Sequence, residues 1–252
     1  RSTLFPYTTL FRSRTGIAFG GQGAPIVPIG EKLLLGEYDY FLNIGGIANI
    51  SFNPGPLSDS GYIAFDICAA NRVLNMLAAD EGKEYDDEGK MAAAGTINNI
   101  LLQKLNELDY YRQPYPKSLA NDFGTDTVYP IVRNSNINTA DALRTYTEHI
   151  TVQIKNAITG LKNLKPQTSN LKLLCTGGGA FNTFLIKRLE DILKELTIEV
   201  IIPDEKLVKY KEALIMALIG VLRWREKTNV LSSVTGAKYD SVGGAMWMGQ
   251  EE

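Results

Sequence analysis

The segment Leu171–Leu196, LKLLCTGGGAFNTFLIKRLEDILKEL, carries the clearest signal of the fold. It begins with an apolar run, Leu171–Cys175, that predicts a buried strand, and it continues through the turn Gly177–Gly179 into a helical pattern over Asn182–Leu196. Such a turn presents backbone N–H groups beside a helix N-terminus, where anions bind favourably. Because the segment has neither the spacing of a dinucleotide fingerprint nor the GK[ST] of a P-loop, it predicts a phosphate or nucleotide contact of another kind.

A second glycine turn lies upstream in Asn43–Asn49, NIGGIAN, between the predicted strands Tyr38–Ile44 and Ala48–Phe52. Glycines allow backbone N–H groups to approach an anion closely, so Gly45 and Gly46 are candidates for phosphate contact. A plain tight turn explains the same two glycines, and the residues alone leave both interpretations open.

Two acidic motifs have two interpretations each. Asp66 ends a predicted strand, Tyr62–Ile67, where a carboxylate either holds a magnesium-bound water or a sugar hydroxyl, or caps the turn into the predicted helix Asn71–Ala79. The run Asp86–Glu88 either binds a cation or forms a solvated acidic loop.

The rest of the chain continues the alternation of strands and helices, which predicts an α/β fold. Thr139 is a suitable N-cap for a long helix that reaches Leu161, Glu199–Ile202 is a further strand, and Glu212–Arg225 a further helix. Near the start, GGQGAP at Gly20–Pro25 places backbone against a ligand or a neighbouring segment, and its glutamine offers a sugar both a donor and an acceptor.

Composition excludes several functional classes. The chain has 252 residues and a formal net charge of −2 with no long basic run, which argues against a nucleic-acid partner. Cys68 and Cys175 form no CxxC pair and His149 is the only histidine, so we expect buried, reduced cysteines and a structural histidine, not a Cys/His metal site. The apolar run Ala213–Leu222 is too short for a membrane span and predicts a buried helix.

The first thirteen residues, RSTLFPYTTLFRS, form no helical or strand pattern that continues into the residues after Ser13. Residues 3–13 resemble a translated sequencing adapter, so we interpret residues 1–13 as an artefactual leader. We expect residues 14–228 to form one lobe, and 229–252 to be a tail that packs back toward a lobe encoded upstream.

Taken in order, several short motifs resemble one family. They are GGQGAPIVP at Gly20–Pro28, NIGGIANIS at Asn43–Ser51, FDICAANRVLN at Phe65–Asn75, YDDEG at Tyr85–Gly89, PKSL at Pro116–Leu119, TGGGAFN at Thr176–Asn182, KEALIMALIGVL at Lys211–Leu222 and SSVTGA at Ser232–Ala237. The family is anhydro-N-acetylmuramic acid kinase, and the resemblance covers about Gly20 to Gly244. It implies a ribonuclease-H-like lobe of the actin and hexokinase type, lacking the N-terminal lobe of the family.

The resemblance also implies ATP and Mg²⁺ as cofactors and 1,6-anhydro-N-acetylmuramic acid as the sugar substrate, in a cytoplasmic enzyme that is a possible homodimer when intact. The implied reaction opens the anhydro bridge with water, activated by a carboxylate base, and phosphorylates O6. Residues implied on the nucleotide and phosphate side are Asn43, Gly45, Gly46, Gly177, Gly178, Gly179 and Asn182. Residues implied on the sugar or metal side are Gln22, Gly23, Ala24, Pro25, Asp66 and Asn71, with Asp66 toward Mg²⁺.

Two departures from the family pattern affect activity. The first glycine-rich phosphate loop of the family has no counterpart, and residues 1–30 contain no Asp or Glu where its general base is expected, just before Gly20. We therefore expect a nucleotide-contacting lobe that is inactive alone. Two alternatives stay open, a non-catalytic nucleotide-binding lobe and another actin-like phosphotransferase such as an acetate or hexose kinase.

Overall fold

The computed structural model describes residues 18–21, 25–55, 61–162, 164 and 170–245. Within these ranges the strands, in chain order, are β1 Tyr40–Ile44, β2 Ile47–Phe52, β3 Ile63–Ala69, β4 Leu171–Thr176 and β5 Ile198–Ile201. The α-helices are α1 Pro28–Leu34, α2 Asn71–Ala79, α3 Lys90–Ala94, α4 Asn99–Asn106, α5 Asp109–Arg112, α6 Tyr129–Arg133, α7 Thr139–Lys162, α8 Thr183–Leu193, α9 Glu205–Trp224 and α10 Ser232–Thr235. Short 3-10 turns cover Asp87–Gly89, Gly178–Phe181 and Lys194–Leu196, and a π-helical turn covers Phe123–Val128.

The five strands form one mixed sheet in the order β3-β2-β1-β4-β5. β1, β2 and β3 form an antiparallel meander, and β4 and β5 run parallel to β1. This confirms the predicted α/β fold, and the meander followed by parallel strands is the ribonuclease-H-like arrangement. Because β1 and β4 are parallel and Asn43 pairs with Thr176, the ends of both strands lie at one edge of the sheet.

The strands separate two hydrophobic clusters because successive side chains of a strand point to opposite faces. Leu42 of β1 belongs to the larger cluster, together with α2, α7 and α8. Phe41 belongs to the smaller one, which also contains Ile215 of α9 and Leu231 beside α10. Both faces of the sheet are therefore covered. This leaves the edge at which β1 and β4 end, which we call the functional edge.

Two helix boundaries differ from the sequence prediction. The long helix α7 is capped by Asn138, whose Oδ1 accepts the Asp141 N–H at 2.8 Å, instead of by Thr139. α9 begins at Glu205, seven residues before the predicted Glu212, because Asp204 Oδ1 accepts the Leu207 N–H at 2.8 Å. The charged first turns of α9 have little apolar periodicity, so this start was not visible in the sequence.

The run Ala213–Leu222 is helical, but the prediction that it is buried is wrong for one of its faces. Ile215 and Ile219 are buried, whereas Leu214 and Val221 are 46% and 49% exposed and Trp224 is 64% exposed. These three exposed residues are seven and three positions apart, so they lie on one side of α9 and form an apolar stripe. Among the described residues, none of the helices is long and apolar enough to cross a membrane.

The described part of the tail packs on this lobe. Asn229 and Val230 pair with Ser241, and Asn229 Nδ2 donates to the Ile219 carbonyl of α9 at 3.3 Å. Val230 and Leu231 are buried in the smaller cluster. The remaining tail, from 246 onward, lies outside the described residues, so its return toward another lobe stays a prediction.

Candidate active site

Three adjoining cavities lie at the functional edge. The large cavity, beside Asp66, has a volume of about 450 Å³; the middle cavity, beside Gly177, about 290 Å³; and the aromatic cavity, beside Tyr85 and Phe181, about 380 Å³. Asn43, Lys211 and Glu212 line both the large and the middle cavities. Gly178 and Phe181 line both the middle and the aromatic cavities. The three spaces therefore form a continuous row with the middle cavity at the ends of β1 and β4.

The glycines of the β4–α8 turn divide into two kinds. Gly177 has a φ of +84°, and a Cβ at Gly179 would lie 2.3 Å from Ile44 Cγ2, so the fold itself requires glycine at both positions. Gly178 has no such requirement, because its Cβ would meet Asn71 Nδ2 at an ordinary 3.5 Å. Since Gly178 faces two cavities, a closely approaching ligand explains this glycine better than packing does.

The Gly45–Gly46 turn serves the fold directly. Its two carbonyl oxygens accept the backbone N–H groups of Ala70 and Asn71 at 2.8 and 3.1 Å, so the first amides of α2 are occupied. The Asn71 side chain reinforces this junction by donating to the Ile44 carbonyl at 3.0 Å. The turn does not line the three cavities, and its implied phosphate contact stays a prediction.

Asp66 lines the large cavity and is held by the loop that comes after α5. Its Oδ2 accepts the Leu119 N–H at 2.9 Å and the Ser118 hydroxyl at 3.1 Å. Its backbone carbonyl accepts the Tyr110 hydroxyl at 2.6 Å. These contacts fix the carboxylate through Oδ2, and Oδ1 has no hydrogen-bond partner among the described residues. Asn71, which the resemblance also implied on the sugar or metal side, lines the aromatic cavity instead.

A buried ion pair lies in the wall of the large cavity. Lys211 Nζ of α9 donates to Glu31 Oε1 of α1 at 2.9 Å, and these side chains are only 6% and 3% exposed. Ser51 of β2 donates its hydroxyl to Glu31 Oε2. Three elements are thereby joined, and the pair fixes the start of α9 beside the cavity. Burial raises the pKa of the nearby Cys175 thiol to about 12, and the Lys211 ammonium opposes that shift.

Glu212 is a candidate that the sequence interpretation did not single out. It follows Lys211 directly, is exposed, and lines both the large and the middle cavities. No hydrogen bond or ion pair joins its side chain to another described residue, in contrast to Glu31 and Asp66. The signal in the sequence was the charged pair at the start of an otherwise apolar helical run.

The remaining predicted residues fall into distinct places. Asn43 lines two cavities and Pro25 lines the large one. Asn182 lines the aromatic cavity, but its Oδ1 already caps α8 by accepting the Leu185 N–H at 3.0 Å. Gln22, Gly23 and Ala24 lie outside the described residues, so their sugar contacts remain predictions.

The acidic run Asp86–Glu88 is explained by local structure. Asp86 accepts the backbone N–H groups of Met91 and Ala92 at 2.8 and 2.9 Å. Asp87 and Glu88 each pair with Lys90 at 2.8 Å. Across the part of the chain that the structure describes, no group of three or more His, Cys, Asp or Glu side chains is arranged to hold a metal ion.

His149 is fully buried in α7, away from the cavities. Its Nδ1 lies 2.7 Å from Asn106 Oδ1, and its Nε2 lies 3.0 Å from the Tyr111 hydroxyl. Burial lowers the pKa of His149 to about 3, so the ring is neutral at physiological pH. This geometry bears out the structural role expected from the sequence. Cys68 and Cys175 are buried free thiols, also as expected.

The fold is a ribonuclease-H-like α/β lobe with a row of cavities at the ends of its parallel strands. A model of the family "Anhydro-N-acetylmuramic acid kinase" matches residues 3–249. The chain belongs to the anhydro-N-acetylmuramic acid kinase family. The match takes in most of residues 1–13, which lie outside the described part, and their interpretation as a leader stays a prediction.

Curated proteins of the same name are similar over most of the chain. The relative from Hydrogenovibrio crunogenus is 34% identical over 239 residues, which cover 92% of this chain and 62% of the relative. The relative from Coxiella burnetii (strain Dugway 5J108-111) is 32% identical over 248 residues, 94% of this chain and 64% of the relative. The chain thus spans less than two thirds of the length of these relatives.

Solved structures with similar folds are more distant. Plasmodium falciparum glycerol kinase with ADP has a TM-score of 0.46 and 14% identity, covering 86% of this chain and 45% of that chain. The activator of the 2-hydroxyisocaproyl-CoA dehydratase from Clostridium difficile with bound ADPNP has a TM-score of 0.44 and 17% identity, covering 75% and 62%.

Proposed function

We propose that this chain supplies the nucleotide-binding lobe of a kinase that uses ATP to phosphorylate 1,6-anhydro-N-acetylmuramic acid. The observation that carries the proposal is the row of three adjoining cavities. An aromatic end, a glycine-lined centre and a larger end that offers carboxylate, amide and hydroxyl side chains suit a base, a phosphate chain and a sugar in that order. Family membership supports the identity of the sugar.

In the proposed reaction, water adds to C1 of the sugar and breaks the bond between C1 and O6, while a base removes one proton from the water. The freed O6 attacks the γ-phosphorus of ATP, and the bond from that phosphorus to ADP breaks. The products are N-acetylmuramic acid 6-phosphate, ADP and the released proton. Such phosphoryl transfer depends mainly on positioning and on neutralisation of phosphate charge.

Within this lobe, we assign a role to each residue that lies between neighbouring cavities. Gly178 allows the phosphate chain to approach the backbone of the middle cavity. Glu212 lies where the middle and large cavities meet, so its carboxylate would contact the sugar or the water beside the γ-phosphate. The ion pair of Lys211 with Glu31 holds the first turns of α9 in place for this contact.

The carboxylate of Asp66 fits a Mg²⁺ ion that is held by few protein ligands. Mg²⁺ in kinase sites commonly takes one or two carboxylates and completes its shell with water and phosphate oxygens. Asp66 lines the large cavity, and its Oδ1 has no hydrogen-bond partner among the described residues, while its Oδ2 is held by Ser118 and Leu119. When bound, the ion would neutralise phosphate charge, and Asp66 would hold it directly or through a water.

Isothermal titration of the chain with ADP tests the nucleotide part of the proposal. We expect a saturable, one-to-one complex that Gly178→Val weakens, because a branched side chain fills the middle cavity. Tyr239→Ala, in an exposed tail residue outside the three cavities, is the matched control. Absence of ADP binding by the unmodified chain would refute the proposal.

The sugar is tested separately by saturation-transfer NMR. We expect contacts with the anhydro sugar that Glu212→Gln and Asp66→Asn reduce, and none with glucose or acetate. Preference for glucose or acetate would point to another phosphotransferase of this fold. Because residues 1–30 contain no carboxylate, we also expect no sugar phosphate from this chain and ATP alone. Formation of the sugar phosphate would contradict the expected lack of a catalytic base.

A further inference from the structure

The two ends of the described chain meet beside the large cavity. We call Phe19–Gly21 the leading segment and Val234–Tyr239 the tail turn. The Lys238 N–H donates to the Phe19 carbonyl at 3.1 Å, and the Phe19 and Tyr239 rings meet edge to face with their centroids 6.1 Å apart. The leading segment is therefore held by residues near the other end of the described chain.

The tightest point of this contact is at Gly21. A Cβ at this position would lie 2.6 Å from the Ala237 backbone nitrogen and 2.8 Å from its Cα, closer than side chains are found to backbone. The neighbouring Gly20 is different, because it has a φ of +83° and open space around its Cβ position. Gly21 does not have a positive φ, so the close approach of the tail turn is the reason for glycine at this position.

The tail turn is itself fixed to the lobe. Asp240 Oδ1 accepts both the N–H and the hydroxyl of Ser232 at 2.7 Å. Gly236 ends α10 with a φ of +71°, and its N–H donates to the Ser232 carbonyl at 2.8 Å. Val230 and Ser241 form a backbone bridge that closes the loop around the turn. A turn with this many internal bonds can impose its position on the leading segment.

Both segments lead into the wall of the large cavity. The residues that follow the leading segment and those of the tail turn contribute Pro25, Val27, Pro28, Val234, Thr235 and Gly236 to this wall. None of these six residues lines the middle or the aromatic cavity. The approach of Gly21 to Ala237 therefore joins two parts of a wall that, among the three cavities, only the large one uses.

We infer that the contact between the leading segment and the tail turn positions the wall of the large cavity for the sugar, with Gly21, Ala237 and Tyr239 as positioning residues. The inference rests on the proposed binding of the sugar in the large cavity and adds the residues that hold its wall together. Because the other two cavities share none of this wall, the contact should govern the affinity for the sugar and not the affinity for ADP.

Gly21→Val in the whole chain tests the inference, with Gly160→Val as the matched control. Gly160 lies in α7 and no atom lies within 4 Å of the position of its Cβ. Forcing a side chain into a packed contact disfavours the closed arrangement by roughly 5- to 150-fold, and the apparent affinity falls by the same factor when only that arrangement binds. We expect a loss in this range for the anhydro sugar in saturation-transfer NMR titrations, an unchanged affinity for ADP, and no effect of Gly160→Val on either ligand.

Tyr239→Ala tests the same contact without adding an atom. Loss of one edge-to-face ring contact corresponds to roughly 2- to 12-fold weaker binding of the sugar. Tyr239→Phe keeps the ring and should bind the sugar as the unmodified chain does. Since Phe19 and Tyr239 are 41% and 57% exposed, we expect unchanged melting temperatures and unchanged ADP binding in both variants.

Hydrogen exchange of the Lys238 amide reports on the contact directly, because this amide donates to Phe19. We expect faster exchange in Gly21→Val and slower exchange when the sugar is bound. Exchange that is the same in Gly21→Val as in the unmodified chain would refute the contact.

The outcomes separate the inference from the proposal on which it rests. If the unmodified chain binds the sugar and neither Gly21→Val nor Tyr239→Ala weakens that binding, only this inference fails. Equal losses of sugar and ADP binding in Gly21→Val would contradict a role confined to the large cavity. If the unmodified chain binds ADP but not the sugar, the proposed sugar site fails and the positioning role fails with it.

Discussion

The buried His149 makes the stability of this chain depend on pH in a defined direction. Burial holds the pKa of His149 at about 3 in the folded chain, against an ordinary value of 6.5. As the pH falls below 6.5, the unfolded chain takes up a proton that the folded chain excludes. The free energy of unfolding therefore decreases as the pH falls from about 6.5 toward 3.

The size of the effect follows from the two pKa values. Each pH unit within this window costs about 1.4 kcal/mol. Between about pH 7.5 and pH 5, only the 1.5 units below 6.5 contribute, which gives about 2 kcal/mol from this one residue. The tautomer that fits the contacts, with Nδ1–H donating to Asn106 and Nε2 accepting from Tyr111, is lost on protonation, consistent with this cost.

His149→Gln is the informative variant because glutamine keeps one donor and one acceptor and does not titrate. Urea unfolding of both chains at about pH 7.5 and pH 5 gives the free energies. We expect the advantage of the unmodified chain over the variant to shrink by about 2 kcal/mol at the lower pH. Other titrating groups cancel in this difference. A difference that stays constant with pH would show that the buried ring does not resist protonation, and the reasoning would be wrong.

Three further perturbations test other contacts. Gly179→Ala should destabilise the chain by about 1–3 kcal/mol because its Cβ would overlap Ile44, whereas Gly178→Ala should keep the melting temperature and weaken ADP binding. An equal loss of stability in the two glycine variants would contradict the distinction between Gly178 and Gly179. Lys211→Met should cost about 3–5 kcal/mol by leaving a buried Glu31 carboxylate unpaired, and adding Glu31→Gln should recover part of it, as thermal denaturation would show. The apolar stripe of α9 predicts concentration-dependent self-association in sedimentation velocity, reduced by Leu214→Glu. A concentration-independent monomer would count against this expectation.

The sequence predicted the parts of the fold that depend on local patterns. The strands around Gly45–Gly46 and the helix Asn71–Ala79 occur where periodicity and glycine turns placed them. The apolar residues around α4 recur at helical spacing, which predicts one buried face; Leu101 and Leu105 are buried accordingly, but Ile100 is 83% exposed. Spacing alone gives the face of a helix only to within about one residue, since each residue turns it by about 100°.

The walls of the cavities were harder to predict because they combine distant segments. Glu31 and Lys211 are 180 residues apart, and no periodicity relates them. Glu212 was overlooked because it stands in a run that resembles an apolar helix. Conversely, Asn182 and Gly45 were predicted as ligand contacts, and the structure gives each a clear local task in a cap or a turn. A polar or glycine residue at a helix start serves the backbone first, and a sequence cannot separate that use from ligand binding.

The walls shared between neighbouring cavities have a thermodynamic consequence. Several residues each face two cavities, among them Gly178, Phe181, Lys211 and Glu212. A ligand that fixes one of these residues in position would therefore change the wall of the neighbouring cavity. If a bound nucleotide raises the affinity for the sugar by some factor, the bound sugar must raise the affinity for the nucleotide by the same factor. If the proposed ligands bind as described, the shared walls would link occupancy at one end of the row to occupancy at the other, without a moving domain.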